Sequence, residues 1–119
     1  DYVRIDGGVP YTQVPGTVEV AEVFGYACPH CAHFEPALRA WARTLPREVR
    51  VVPVPAPWDP YSRAYVAART LKVSEAAHGA VFKALHEDGS LPLRNPQPAE
   101  IAQFYARYNV PPARFAAAM

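Results

Sequence analysis

Cysteine is nearly absent from this chain: there are two in 119 residues, both in the stretch Cys28-Pro29-His30-Cys31. A multi-disulfide scaffold is therefore excluded, because a bridge spanning three residues closes almost no chain. Net charge is equally scarce. At +1 the chain carries no basic stripe for nucleic acid and no polybasic anchor for a membrane surface, so neither is expected as a partner. No apolar run approaches the roughly 20 residues of a spanning helix, so no direct membrane insertion is expected. No signal-peptide core precedes Asp1, and any export signal is expected to have been removed already. Internal repeats and low-complexity segments are lacking too. What is present is a chain half apolar and 12% aromatic, enough to bury a core, in a length of about one domain. With both cysteines in one motif, the composition points to reactive chemistry or metal binding.

Hydrophobic patterning divides the chain in two. Residues 2–5 alternate and read as a short strand. Residues 17–26 are mostly apolar and rich in β-branched and aromatic side chains, with Glu19 and Glu22 as the only charges, and read as a buried strand. A helix is expected over 29–45, with Phe34, Leu38, Trp41 and Leu45 on its apolar face. A third strand is expected over 49–54. Strand, long helix and strand in that order imply a parallel βαβ unit. After Pro53, Pro55 and Pro57 the pattern turns wholly helical. Asp59-Pro60 opens a helix to about residue 71, and Ser74 caps another that runs to about residue 88 and stops at Gly89. A helix marked by Ile101, Phe104, Tyr105 and Tyr108 follows, and a last one over 113–119.

Within the motif, Pro29 is the informative residue. Proline favours the first helical position, which places Cys28 at the N-cap and Cys31 near the third helical position. Sulfur on Cys28 then faces unpaired backbone N–H groups at the positive end of the helix, and its pKa should fall. Neighbours at i and i+3 lie close enough for a disulfide to close and reopen with a small local adjustment. His30 shares that turn and would add a cationic or hydrogen-bonding influence, its alternative being an exposed histidine with no role. His33 reads as helix surface. Glu22, six residues before Cys28 in an apolar strand, reads as a buried carboxyl with a raised pKa that exchanges a proton with Cys31, the alternative being an edge-facing glutamate in water. Pro36 lies inside the helix and removes the hydrogen bond to the Ala32 carbonyl.

The segment from Glu19 to Pro36, continued by Leu38, Trp41, Leu45-Pro46 and the strand over 49–54, resembles the active-site region of DsbA-family thiol:disulfide interchange proteins. That resemblance implies an α/β thioredoxin-like βαβ unit in residues 1–57 and an inserted all-helical subdomain in 58–119. It implies an exposed nucleophile at Cys28, a buried resolving thiol at Cys31, the family's acidic strand residue at Glu22, and no cofactor beyond the Cys28–Cys31 disulfide. It also implies a periplasmic oxidant of exported proteins, reoxidised by a quinone-linked membrane partner of the DsbB type. The family's second thioredoxin half, with its cis-proline loop, would follow Met119; the C-terminal half of the fold is expected to be absent, and none of the 14 prolines replaces that loop.

Three other readings stay open, one of them a helical binding module whose cysteines are incidental. A reductase or isomerase would use the same fold with a different potential. A non-enzymatic metal module would combine Cys28 and Cys31 with His30 or His33, but it needs further ligands. His78 and His86 are the remaining candidates, and no known ligand spacing joins them.

Overall fold

A computed structural model of the chain describes residues 1–56 and 59–119. Strand β1 (Val18–Phe24), helix α1 (Pro29–Ala42) and strand β2 (Val49–Pro55) follow one another. The two strands pair in parallel, from Val18 opposite Val49 to Phe24 opposite Pro55. Parallel neighbours require a crossover connection, and α1 supplies it. Among the described residues the sheet has two strands rather than the expected three. Residues 2–5 form no strand and lie exposed, because a segment without a ladder partner leaves its backbone groups to water and propensity alone does not hold it. The N-terminal segment is tied down further along. The Glu19 carboxylate accepts the backbone N–H of Thr12 at 2.8 Å and the Thr12 hydroxyl.

Helix α2 (Pro60–Thr70) begins as expected, with the Asp59 carboxylate accepting the Ser62 N–H at 2.7 Å and proline in the first turn. Helix α3 (Ser74–His86) begins differently. Val73 occupies its N-cap, Ser74 is already helical, and no side chain caps the end. The reason lies in the connection: Lys72 turns through a left-handed φ of 60° and the Val73 N–H bonds to the Ala68 carbonyl at 2.9 Å, so the chain enters α3 directly. Gly89, at φ +63°, turns the chain away after α3. Helix α4 (Pro98–Tyr105) continues into a 3₁₀ turn over Ala106–Tyr108, which the left-handed Asn109 stops, and α5 (Pro112–Ala118) follows. The expected boundary between residues 57 and 58, and Pro57 itself, lie outside the described residues.

One apolar core joins the end of β1 to the helices. Phe24 and Tyr26 pack with Tyr61, Tyr65, Val81, Phe82 and Leu85, and the core extends through Ile101 to Tyr105 and Phe115. The last two rings stack with centroids 4.0 Å apart. Helix α1 departs from expectation in two ways. It ends at Ala42 rather than 45, because Leu45 precedes Pro46 and is pushed out of the helical region, while the Thr44 hydroxyl bonds to the Trp41 carbonyl at 2.7 Å. Its expected apolar face is also misplaced. Phe34 is 53% exposed and Trp41 45%, whereas the buried residue of α1 is Glu35, at 6%. The inward face carries Cys31, Glu35 and Leu38, toward α3, so the rotation of α1 follows its polar site rather than its aromatics.

The two helix starts make a paired test by urea denaturation. Asp59→Ala should cost about 1 kcal/mol, the usual value of a lost N-cap. Ser74→Ala should change stability by less than about 0.5 kcal/mol, as for an uncapped surface site. Equal losses at both positions would contradict the capping geometry.

Candidate active site

The site begins as a turn. The Cys28 N–H donates to the Gly25 carbonyl at 3.0 Å, and the Ala32 N–H returns to the Cys28 carbonyl at 3.1 Å as the first helical bond. Cys28 is thus the N-cap residue of α1, extended at φ −84° and ψ 116°, with Pro29 at the first helical position. No side-chain capping hydrogen bond closes at Cys28. Its sulfur instead experiences donors turned toward it: the Cys31 backbone N–H foremost, then the Cys31 thiol and the His30 backbone N–H, which together hold its pKa below the ordinary thiol value. Cys31, one turn on, moves the opposite way. Burial pushes its thiol up, and the neighbouring Cys28 and the Glu22 carboxylate add to the rise, against a lowering contribution from the Gly25 backbone. Two chemically identical groups are split into a good anion and a poor one.

Behind the pair lies a polar cluster. Glu22 is on the same face of β1 as Val20 and buried Phe24, since side chains alternate along a strand. It is half-buried, and burial raises its pKa, with Glu35 adding to the effect. The Glu35 carboxylate accepts a hydrogen bond from Arg39 Nε at 2.8 Å through Oε1. Its other oxygen, Oε2, lies 3.6 Å from Nε2 of His78, a histidine of α3 that is 4% exposed. Burial, with Arg39 assisting, lowers the His78 pKa to about 4, so the ring is neutral at physiological pH. It sits in an aromatic cage of Phe24, Tyr26, Tyr65 and Phe82. Glu22, Glu35 and His78 line one cavity of about 560 Å³.

Both histidines of α3 grip Tyr26, two residues before Cys28. His78 Nδ1 and the Tyr26 hydroxyl lie 2.8 Å apart. His86 Nε2 lies 2.8 Å from the Tyr26 backbone carbonyl, which can only accept, so this nitrogen carries the proton. The helical layer thereby holds the turn into α1 at its side chain and at its backbone. Of the residues expected from sequence, Cys28, Cys31 and Glu22 come together, and Pro29 and Pro36 lie in α1 as expected. The His30 and His33 rings are exposed. Among the described residues, no metal-holding cluster forms from the cysteines with His30 or His33; the three groups that converge are Glu22, Glu35 and His78. Glu35 carries no expectation from sequence, and His78 figures there only as a remaining ligand candidate for the metal module. The one available signal was the spacing of Cys31, Glu35 and Arg39 at i, i+4 and i+8, which lines one helix face.

No protein-family model matches the chain. Among characterised proteins it is similar to the thiol:disulfide interchange protein DsbA of Azotobacter vinelandii, at 37% identity over 92% of this chain and 51% of that protein. Its structure is similar to oxidoreductase DsbA from Xylella fastidiosa, with a TM-score of 0.89 and 49% identity over 93% of this chain and 62% of that one. A variant of Pseudomonas aeruginosa DsbA superposes with a TM-score of 0.83 at 31% identity, covering 99% of this chain and 67% of that one. The chain spans about half the length of the curated relatives it matches.

The split between the two thiols is open to direct titration. Thiolate absorbance of the reduced protein should rise in two steps, one below the free-thiol value of about 8.5 and one above it. Cys28→Ser should remove the lower step. Because the Cys28 pKa is lowered by folding, the reduced protein should gain stability as pH rises from that folded value to the unfolded one. The gain should be lost as pH falls through the folded value. A single unshifted step would contradict the arrangement.

Proposed function

This chain belongs to the DsbA family of thiol:disulfide interchange proteins, and we propose that it oxidises the thiols of exported proteins by donating its Cys28–Cys31 disulfide. The observation that carries this reading is the opposite displacement of two thiol pKa values within one helical turn. In the oxidised protein a substrate thiolate attacks Sγ of Cys28, forming a mixed disulfide. The S–S bond breaks, and Cys31 leaves with the bonding electron pair. Its pKa lies high, so it takes up a proton, and Glu22, whose charge contributes to raising that pKa, supplies it. A second substrate thiolate then attacks the substrate sulfur of the mixed disulfide, and Cys28 departs as a thiolate. The substrate loses two electrons to form its disulfide, and Cys28 and Cys31 gain them. A low Cys28 pKa makes that sulfur a good leaving group and stabilises the reduced form, which makes the couple oxidising.

His30 contributes through its backbone N–H, and its exposed ring adds positive charge near Cys28 when protonated. The family relationship supports a periplasmic setting, reoxidation by a quinone-linked membrane protein of the DsbB type, and no cofactor other than the cysteine pair. No helix among the described residues is long and apolar enough to cross a membrane.

Trapping of the intermediate tests the assignment of roles. Cys31→Ser, presented with a substrate disulfide, should accumulate a mixed disulfide at Cys28, and Cys28→Ser should accumulate none. Glu22→Gln should slow exchange by roughly 100-fold, the low end of general acid–base contributions, while leaving the Cys28 titration in place. A mixed disulfide forming through Cys31 in the Cys28→Ser protein would reverse the roles.

A further inference from the structure

Glu22, Glu35 and His78 come from three different elements, β1, α1 and α3, yet one donor atom from each lies within 4.8 Å of the other two. Their convergence is not explained by pairing within the protein. His78 Nε2 is fully buried and has no hydrogen-bond partner. Glu35 Oε2 stands 3.6 Å away, beyond a hydrogen bond. An orphaned buried nitrogen is costly and calls for an explanation. Here it faces two carboxylates across a cavity of about 560 Å³, with room for waters.

We propose that Glu22, Glu35 and His78 form a binding site for a divalent transition-metal ion of the Zn²⁺ class, with water completing the coordination sphere. Imidazole nitrogen and carboxylate oxygen are both ordinary zinc donors, and three protein ligands with open positions is a familiar arrangement. Both inner ligands are already oriented from behind. In the tautomer whose Nδ1–H donates to the Tyr26 hydroxyl oxygen, 2.8 Å away, the Nε2 lone pair is directed at the cluster. Arg39 holds Oε1 of Glu35 and leaves Oε2 available. Metal–ligand bonds of about 2.0–2.2 Å require the three donors to draw together, and Glu22, the least buried, has the freedom to do so.

Charge selects the kind of ion. Arg39, Arg43, Arg50 and Arg69 line the same cavity, against Glu22, Glu35 and Glu75. The cavity therefore has no surplus of negative charge to hold Ca²⁺ or Mg²⁺, which depend on several hard oxygen ligands. An ion that bonds well to imidazole does not depend on that surplus.

Calorimetric titration of the oxidised protein with Zn²⁺ tests the site, since the disulfide removes thiolates as ligands. One ion per chain should bind. Glu35→Gln and His78→Gln should each weaken binding at least about tenfold, and a His30→Gln/His33→Gln double variant should bind as the parent does. Should His78→Gln fail to fold, the ring resonances of wild-type His78 should still respond to Zn²⁺ while those of His30 and His33 do not. Absence of binding would overturn the proposal. So would binding unchanged by Glu35→Gln, binding lost in the His30/His33 variant, or a His78 ring indifferent to the ion.

Discussion

The unpaired N–H groups at the start of α1, turned toward the sulfur of Cys28, are the interaction on which the rest of the site depends. Every helix leaves such donors at its first turn. Here Pro29 fixes the start of the helix, and the turn from Gly25 delivers a thiol to the position where they converge. The donors stabilise a thiolate more than a thiol, and therefore stabilise the reduced pair more than the disulfide. Cys31 receives the opposite treatment from burial and from nearby negative charge. In the proposed reaction, a single helix terminus sets both which sulfur is attacked and which way electrons flow.

The surrounding structure keeps that terminus in place. Tyr26 is held by His78 at its hydroxyl and by His86 at its carbonyl, so α3 fixes the turn that leads into Cys28. Phe24 and Tyr26 belong to the same apolar core as α2, α3, α4 and α5. The helical layer is in that sense part of the candidate site, reaching it through two imidazoles and a set of edge-on aromatic contacts. Behind it, Glu35 carries a buried carboxylate with Arg39 as its charged partner, an arrangement that retains its geometry only while both partners remain.

Much of this was legible in the sequence, and the reasons are local. Pro29 after Cys28, Asp59 before Pro60 and Gly89 after α3 each act on their own backbone, so their consequences can be read without tertiary structure. Glu22 was legible because a carboxyl on the inward face of an apolar strand is conspicuous. The features that escaped are those decided by distant partners. Residues 2–5 have strand propensity and no strand to pair with. Phe34 and Trp41 repeat at helical spacing, yet α1 turns Cys31 and Glu35 inward instead. Glu35 looks like an ordinary surface residue in an i, i+4 pair with Arg39, and only the approach of α3 reveals it as buried beside His78. Nothing in the spacing of His78 and His86 announces that both address Tyr26.

The most direct measure of the central claim is the reduction potential of the Cys28–Cys31 couple, determined at equilibrium against a glutathione redox buffer. A thiolate stabilised at a helix N-terminus predicts a potential well above the value of about −270 mV characteristic of thioredoxin. A potential at or below that value would contradict it.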